Sequence, residues 1–286
     1  MKKPPQHITP TTSWNQPPNL KYALTTATNL LKHTWAPWLL YTLAAGATIL
    51  VLGGGLGITL GTIGFGVLTT ESSTSLGVFV LALSGLVTLL LVTLTITFIA
   101  FINYGSINAA LTATGGTKPT FDTFFELTNL GRLFATYLIT VLISGVPIGL
   151  FTLIFYTIDP TNFDTNVLYN FLILVTALLT TPLITIILHL AVDEMTTPRH
   201  AIQDALSITK PYYLKLIGYF FLTQLIAFSG VFLLGFGLIA TIPLAAVANA
   251  ILYRQLIHGT VPVIDDTPAP AENPIVTPVD SDTVTD

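Results

Sequence analysis

The chain has 286 residues, 52% of them hydrophobic and 8% charged, with a mean hydropathy of +0.76. Soluble domains carry about 25% charged residues, so this composition excludes a water-soluble fold and points to a bilayer. The net charge is −4, and the absence of cysteine excludes disulfides, thiolate metal sites and cysteine nucleophiles.

Residues 1–19 are rich in Pro, Thr and Gln without an apolar face and read as a disordered tail. Lys2 and Lys3 are followed by polar sequence where a signal peptide would have its apolar core, so the first apolar run is expected to be an uncleaved span. Residues 20–34 read as an amphipathic interfacial helix, with Trp35 and Trp38 at the headgroup boundary. The first span is expected over 36–58, where Gly53, Gly57 and Gly61 form a smooth stripe for close helix packing. A polar turn at 69–75 precedes the second span at 76–101, and 103–119 reads as a loop.

A second interfacial helix is expected at 121–130, then a third span at 134–156 kinked at Pro147. Residues 158–166 form a polar turn, and the fourth span follows at 168–192. The third interfacial helix falls at 198–210. Residues 214–257 suffice for two spans joined near Gly235 and Gly237, with Pro243 early in the sixth. Residues 260–286 are acidic, Pro-containing and expected to be disordered.

The three interfacial segments look like copies of one unit. Ala23, Ala27 and Lys32 of the first align with Ala201, Ala205 and Lys210 of the third, while Phe121 and Phe125 take the alanine positions in the weaker middle copy. The predicted fold is therefore all-α: six membrane helices in three hairpins over 20–259, each entered through a cytoplasmic interfacial helix. All ten Lys and Arg residues lie before span 1, between spans 2 and 3, between 4 and 5, or at the end of 6. By the positive-inside rule both termini are cytoplasmic.

Candidate chemistry is sparse. His189 and Asp193 are four apart, as are His200 and Asp204, with Glu194 between the pairs. Such a set could hold a divalent cation, but charged residues pairing in headgroup water explain it more simply, and no metal site is assigned. Gln224 and Asn249 are amides at membrane depth, suited to a substrate contact or to a hydrogen bond across packed helices. Pro147 and Pro243 could shape a cavity beside them, and Lys210 and Arg254 could hold anionic lipid heads. No Asp, Glu, Lys or Arg lies near the centre of a span, which counts against ion-coupled transport and proton pumping. No nucleophile elbow, phosphate loop or cofactor motif is present, so no catalytic or cofactor-binding residue is assigned and no nucleic-acid partner is expected.

Residues 190–210 (LAVDEMTTPRHAIQDALSITK) and 235–259 (GFGLIATIPLAAVANAILYRQLIHG) resemble the closing half of a six-helix bacterial family. That family is related to the membrane domain of glycerophosphoryl diester phosphodiesterases and includes proline- and glycine-rich transmembrane proteins of actinobacteria. The shared features are Asp193-Glu194, the Ala201–Ala205–Ser207 helix, Pro243, and the Tyr253…Leu256…Gly259 ending. The resemblance implies a plasma-membrane protein and not a hydrolase, because the phosphodiesterase activity belongs to an attached soluble barrel for which this chain is expected to have no room. The sequence thus suggests a non-enzymatic membrane protein whose partners are lipids, other membrane proteins or further copies of itself. The alternative is a transporter or permease for a lipid-like or envelope-related molecule.

Overall fold

A computed structural model describes residues 18–69, 75–126, 128–162, 164, 166–193, 196–233 and 237–257. Seven α-helices carry the fold: α1 (Leu20–Thr69), α2 (Ser75–Thr114), α3 (Leu130–Ile158), α4 (Val167–Val192), α5 (Ala201–Thr209), α6 (Tyr213–Ser229) and α7 (Leu238–Ile257). A 3-10 turn at Lys210–Tyr212 joins α5 to α6, and the apolar stretches supply six helices long and apolar enough to cross a membrane. The chain is therefore an all-helical, multi-pass membrane protein. The predicted tail at 1–19 as far as residue 17, the whole of that at 260–286, and the turn near Gly235 lie outside the described residues.

The spans are rich in threonine, and the helices absorb its hydroxyls. Thr48, Thr88, Thr93, Thr95, Thr97, Thr152 and Thr176 each donate to the carbonyl four residues back, at 2.8–2.9 Å. A hydroxyl satisfied in this way can face hydrocarbon without an unpaired donor.

Several boundaries depart from the sequence reading. The first interfacial segment runs directly into the first span as one 50-residue helix, with a non-helical break at Thr34. Pro37 explains the break: its ring crowds the carbonyl four residues back, that of His33, while the Thr34 hydroxyl donates to the Leu30 carbonyl at 2.9 Å. The expected loop at 103–119 is helical as far as Thr114 because its small residues are a packing face; Ala109, Ala110 and Ala113 are fully buried. In place of the second interfacial helix stands one 3-10 turn, Asp122–Phe124, whose Phe124 is buried while Phe121 and Phe125 remain exposed. Ala23, Ala27, Ala201 and Ala205 are all fully buried.

Trp38 belongs to this core. It is buried edge-on to Phe124 at 4.9 Å, and the Tyr41 ring stacks on Phe124 at 4.1 Å. Gly53, Gly57 and Gly61 do not serve the expected close packing, since a methyl group at any of them would meet nothing within 4 Å.

The buried core is gathered toward one end of the bundle. It comprises the first part of α1 around Ala23–Tyr41, the last part of α2, the start of α3, the last third of α4, α5, the first half of α6 and most of α7. Side chains stitch these ends together. The Asn19 amide donates to Gln255 Oε1 at 2.9 Å, and the Tyr41 hydroxyl donates to the Ile102 carbonyl at 2.6 Å. The Tyr104 hydroxyl donates to the Leu133 carbonyl at 2.6 Å, and the Tyr213 hydroxyl to that of Leu179. Toward the other end the helices carry exposed apolar side chains such as Leu50, Leu90, Leu153 and Phe171, as hydrocarbon contact requires.

At that far end, Asp159 organises the turn between α3 and α4 by accepting from the Thr161 hydroxyl at 2.8 Å and from the Asn162 backbone amide at 3.2 Å. The hydrogen bond from the Thr161 side chain, aided by Asn162, holds the Asp159 carboxyl below its usual range. A depressed carboxylate stabilises the turn above its unfolded pKa and loses that effect as pH falls through the folded value. Asn166 then caps α4, accepting from the Leu168 and Tyr169 amides at 2.9 and 3.2 Å.

Gly105 is required where the Phe124 turn meets α2. A methyl group there would collide with the Phe124 carbonyl and crowd the Tyr41 hydroxyl. Gly105→Ala is expected to destabilise the protein by about 1–3 kcal/mol through overpacking, read as a lower thermal midpoint in nanodiscs. An unchanged midpoint would mean that the turn shifts freely.

Candidate functional site

α7 packs on α1, α2 and α6, and α1 packs on α2, whereas α3 packs chiefly on α4. Between these groups lies a cavity of about 590 Å³, walled by α2, α3, α4, α6 and α7. That volume is within the ~300–1,000 Å³ range typical of small-molecule sites. Most of its surface is apolar, and among the described residues no Asp, Glu, Lys or Arg lines it.

The cavity has a closed floor and an open rim. At the floor, nearest the stitched ends, are His189 of α4, Ile107 of α2 and Ala245 of α7, with exposures of 2%, 9% and 7%. At the rim are Phe228 of α6, Ile242 of α7 and Val141 of α3, which are 66%, 39% and 39% exposed. Along α4 the lining runs from His189 back to Thr181, and along α7 from Asn249 back to Leu238. At 1.5 Å per residue this is a depth of roughly 12–16 Å.

Two of the residues singled out from the sequence, Gln224 and Asn249, line this cavity, contributed by α6 and α7. The other four do not. Pro147 lies one turn beyond Ser144 on α3, and Pro243 is buried within α7 beside the rim residue Ile242. Lys210 is exposed on the 3-10 turn before α6, and Arg254 sits among the helix ends.

His189 is the residue that sequence reasoning misplaced. Its spacing from Asp193 suggested an i,i+4 pair in headgroup water, but the ring is 2% exposed and lies 5.2 Å from that of Tyr253. Its Nδ1 is 2.7 Å from the Thr185 carbonyl, which can only accept, so Nδ1 carries a proton, and in the neutral imidazole Nε2 is then the nitrogen with the lone pair. Nε2 is buried without a hydrogen-bond partner, as is Oδ1 of Asn249. The one available signal was that His189 lies in an apolar stretch four residues before the helix ends.

The second pair has other partners. Asp204 accepts from the Thr196 hydroxyl, and His200 Nδ1 lies 3.4 Å from Gln203 Oε1. Glu194 lies outside the described residues. Among the described residues, no three His, Asp or Glu side chains converge where a metal ion could bind.

Below the floor, Asp193 joins α4 to α7. Its Oδ2 accepts from the Tyr253 hydroxyl at 3.0 Å, and its Oδ1 lies 3.8 Å from the Arg254 guanidinium. Arg254 also reaches the Leu111 carbonyl near the end of α2 at 3.4 Å, and Arg132 donates to the Ala191 carbonyl near the end of α4 at 3.0 Å. These cationic donors add to bonds the carbonyls already accept, that of Leu111 from the Gly115 amide at 2.9 Å, and oppose the negative end of the helix dipole.

Comparison with known proteins finds no matching family model, curated protein or solved structure. The functional reading therefore rests on the cavity.

Arg254→Met keeps the apolar stem but removes the donor from Asp193 and Leu111. It is expected to destabilise the protein by about 1–3 kcal/mol, detectable by thermal unfolding in nanodiscs, because buried acceptors lose their partner. A midpoint equal to that of the parent would show that the knot contributes nothing to stability.

Proposed function

We propose that this chain is a non-enzymatic plasma-membrane protein that binds a lipid-like amphiphile in the cleft between α3–α4 and the remaining helices. The observation that carries this reading is a largely apolar cavity at membrane depth holding a minority of polar groups, two of them with orphaned buried atoms. Such a site matches a molecule with a small polar head and an apolar body.

In this proposal the six spans form three hairpins entered through interfacial segments, with the stitched end and both termini at the cytoplasmic face. The placement of all ten Lys and Arg residues supports that orientation. The resemblance of the closing half to the six-helix bacterial family points the same way. An uncoupled carrier is the second reading, favoured by a cleft that reaches well into the membrane without a charged lining residue.

Native mass spectrometry of protein extracted gently from its own membrane tests the proposal. Wild type is expected to carry an extra mass of one lipid-like molecule. Ala246→Phe, which fills the cavity from α7, is expected to lose it while remaining folded. Wild type without any such mass would contradict the reading.

A further inference from the structure

The cleft is more specific than a grease-filled gap, because polar groups of its lining include buried acceptors without partners. Several donors on the wall are used within the protein. Asn103 Nδ2 donates to the Ile99 carbonyl at 3.0 Å, and the hydroxyls of Thr140, Ser144 and Thr181 donate to carbonyls of their own helices at 2.7–3.2 Å. His189 Nδ1 is committed to Thr185 at 2.7 Å. Two acceptors of lining residues, His189 Nε2 and Asn249 Oδ1, are buried without partners. Gln224 and Tyr137 are the lining residues best placed to donate in return.

An acceptor-biased floor calls for a guest that brings O–H or N–H groups. No carboxylate lines the cavity to balance an ammonium, and no Lys or Arg lines it to balance a phosphate or carboxylate. A charged head buried there would be uncompensated at high cost, so the head is uncharged. Along the cavity, His189 and Asn249 lie at the deep end, and Phe228 and Ile242 lie at the exposed rim.

Resting on the amphiphile-binding reading above, we infer that the cleft takes an uncharged, hydroxyl-bearing lipid whose head donates to His189 Nε2 and Asn249 Oδ1 and whose chain leaves past Phe228 and Ile242. The head then lies nearest the stitched end and the chain points toward the membrane interior, the orientation of a lipid in the leaflet on that side. Such a guest is what a monoacylglycerol or diacylglycerol offers and a phospholipid head does not.

The test is competitive binding by native mass spectrometry, using full-length protein in detergent and four probes sharing one oleoyl or oleyl chain. These are monoolein with two hydroxyls, methyl oleate with no donor, lysophosphatidic acid with an anionic head and oleylamine with a cationic one. Monoolein is expected to bind at least about tenfold more tightly than methyl oleate, the ratio corresponding to about 1.4 kcal/mol. Both charged probes are expected to bind more weakly than monoolein. His189→Phe and Asn249→Leu, which keep bulk but remove the acceptors, should each reduce monoolein binding severalfold and leave methyl oleate unchanged. Two variants on different helices keep the test decisive if one fails to fold. Equal binding of monoolein and methyl oleate, tightest binding by a charged probe, or variants that bind monoolein as wild type does would each overturn the inference while leaving lipid binding intact. Failure of wild type to bind any of the four probes overturns both readings.

Discussion

Side-chain donors that reach the backbone carbonyls of neighbouring helices organise the closed end of the molecule. At the basic end, Arg132 serves Ala191, Arg254 serves Leu111, and the Tyr41 and Tyr104 hydroxyls serve Ile102 and Leu133. Each of these bonds runs between different helices, so satisfying the backbone also fixes which helix ends meet. In hydrocarbon there is no water to take over if a partner is lost, which makes such links costly to break.

The cleft is a consequence of that arrangement. Stitching is dense where α1, α2, α4 and α7 meet and sparse toward the Asp159 turn, so the helices close at one end and diverge at the other. Large side chains fill the closed end: Trp38, Phe124, Phe220 and Tyr253 are all essentially buried. Beyond His189 and Asn249 the inter-helical space is no longer filled, and the cavity begins. The many threonines do not disturb this division, because their hydroxyls bond back along their own helices and leave lone pairs on the surface.

Much of the fold was legible in the sequence because a bilayer reads composition directly. Long uncharged apolar runs marked all six spans, and the start of α4 was placed within one residue by the polar turn before Asn166. What could not be read were the places where tertiary contact overrides local pattern. The residues from 103 to 114 resemble a loop until one sees that their alanines face α1 and α7. The Phe121–Phe125 pattern resembles an amphipathic helix, yet one ring, Phe124, is drawn between Trp38 and Tyr41 and shortens the segment to a single turn. Of the site, Gln224 and Asn249 stood out as polar groups in apolar spans. His189 did not, because its spacing to Asp193 offered a ready surface explanation, and only the packing of α7 reveals that Asp193 is already engaged by Tyr253.

The central claim is that the bundle is sealed at its basic end and open to lipid at the cleft. Power-saturation EPR on a spin label at Ser144→Cys, in the naturally cysteine-free chain reconstituted in nanodiscs, tests it most directly. The account predicts high accessibility to oxygen, which partitions into hydrocarbon, and low accessibility to a water-soluble nickel chelate. High accessibility to the nickel chelate would mean a water-filled passage, and protection from both reagents would mean a closed bundle; either result would contradict the account.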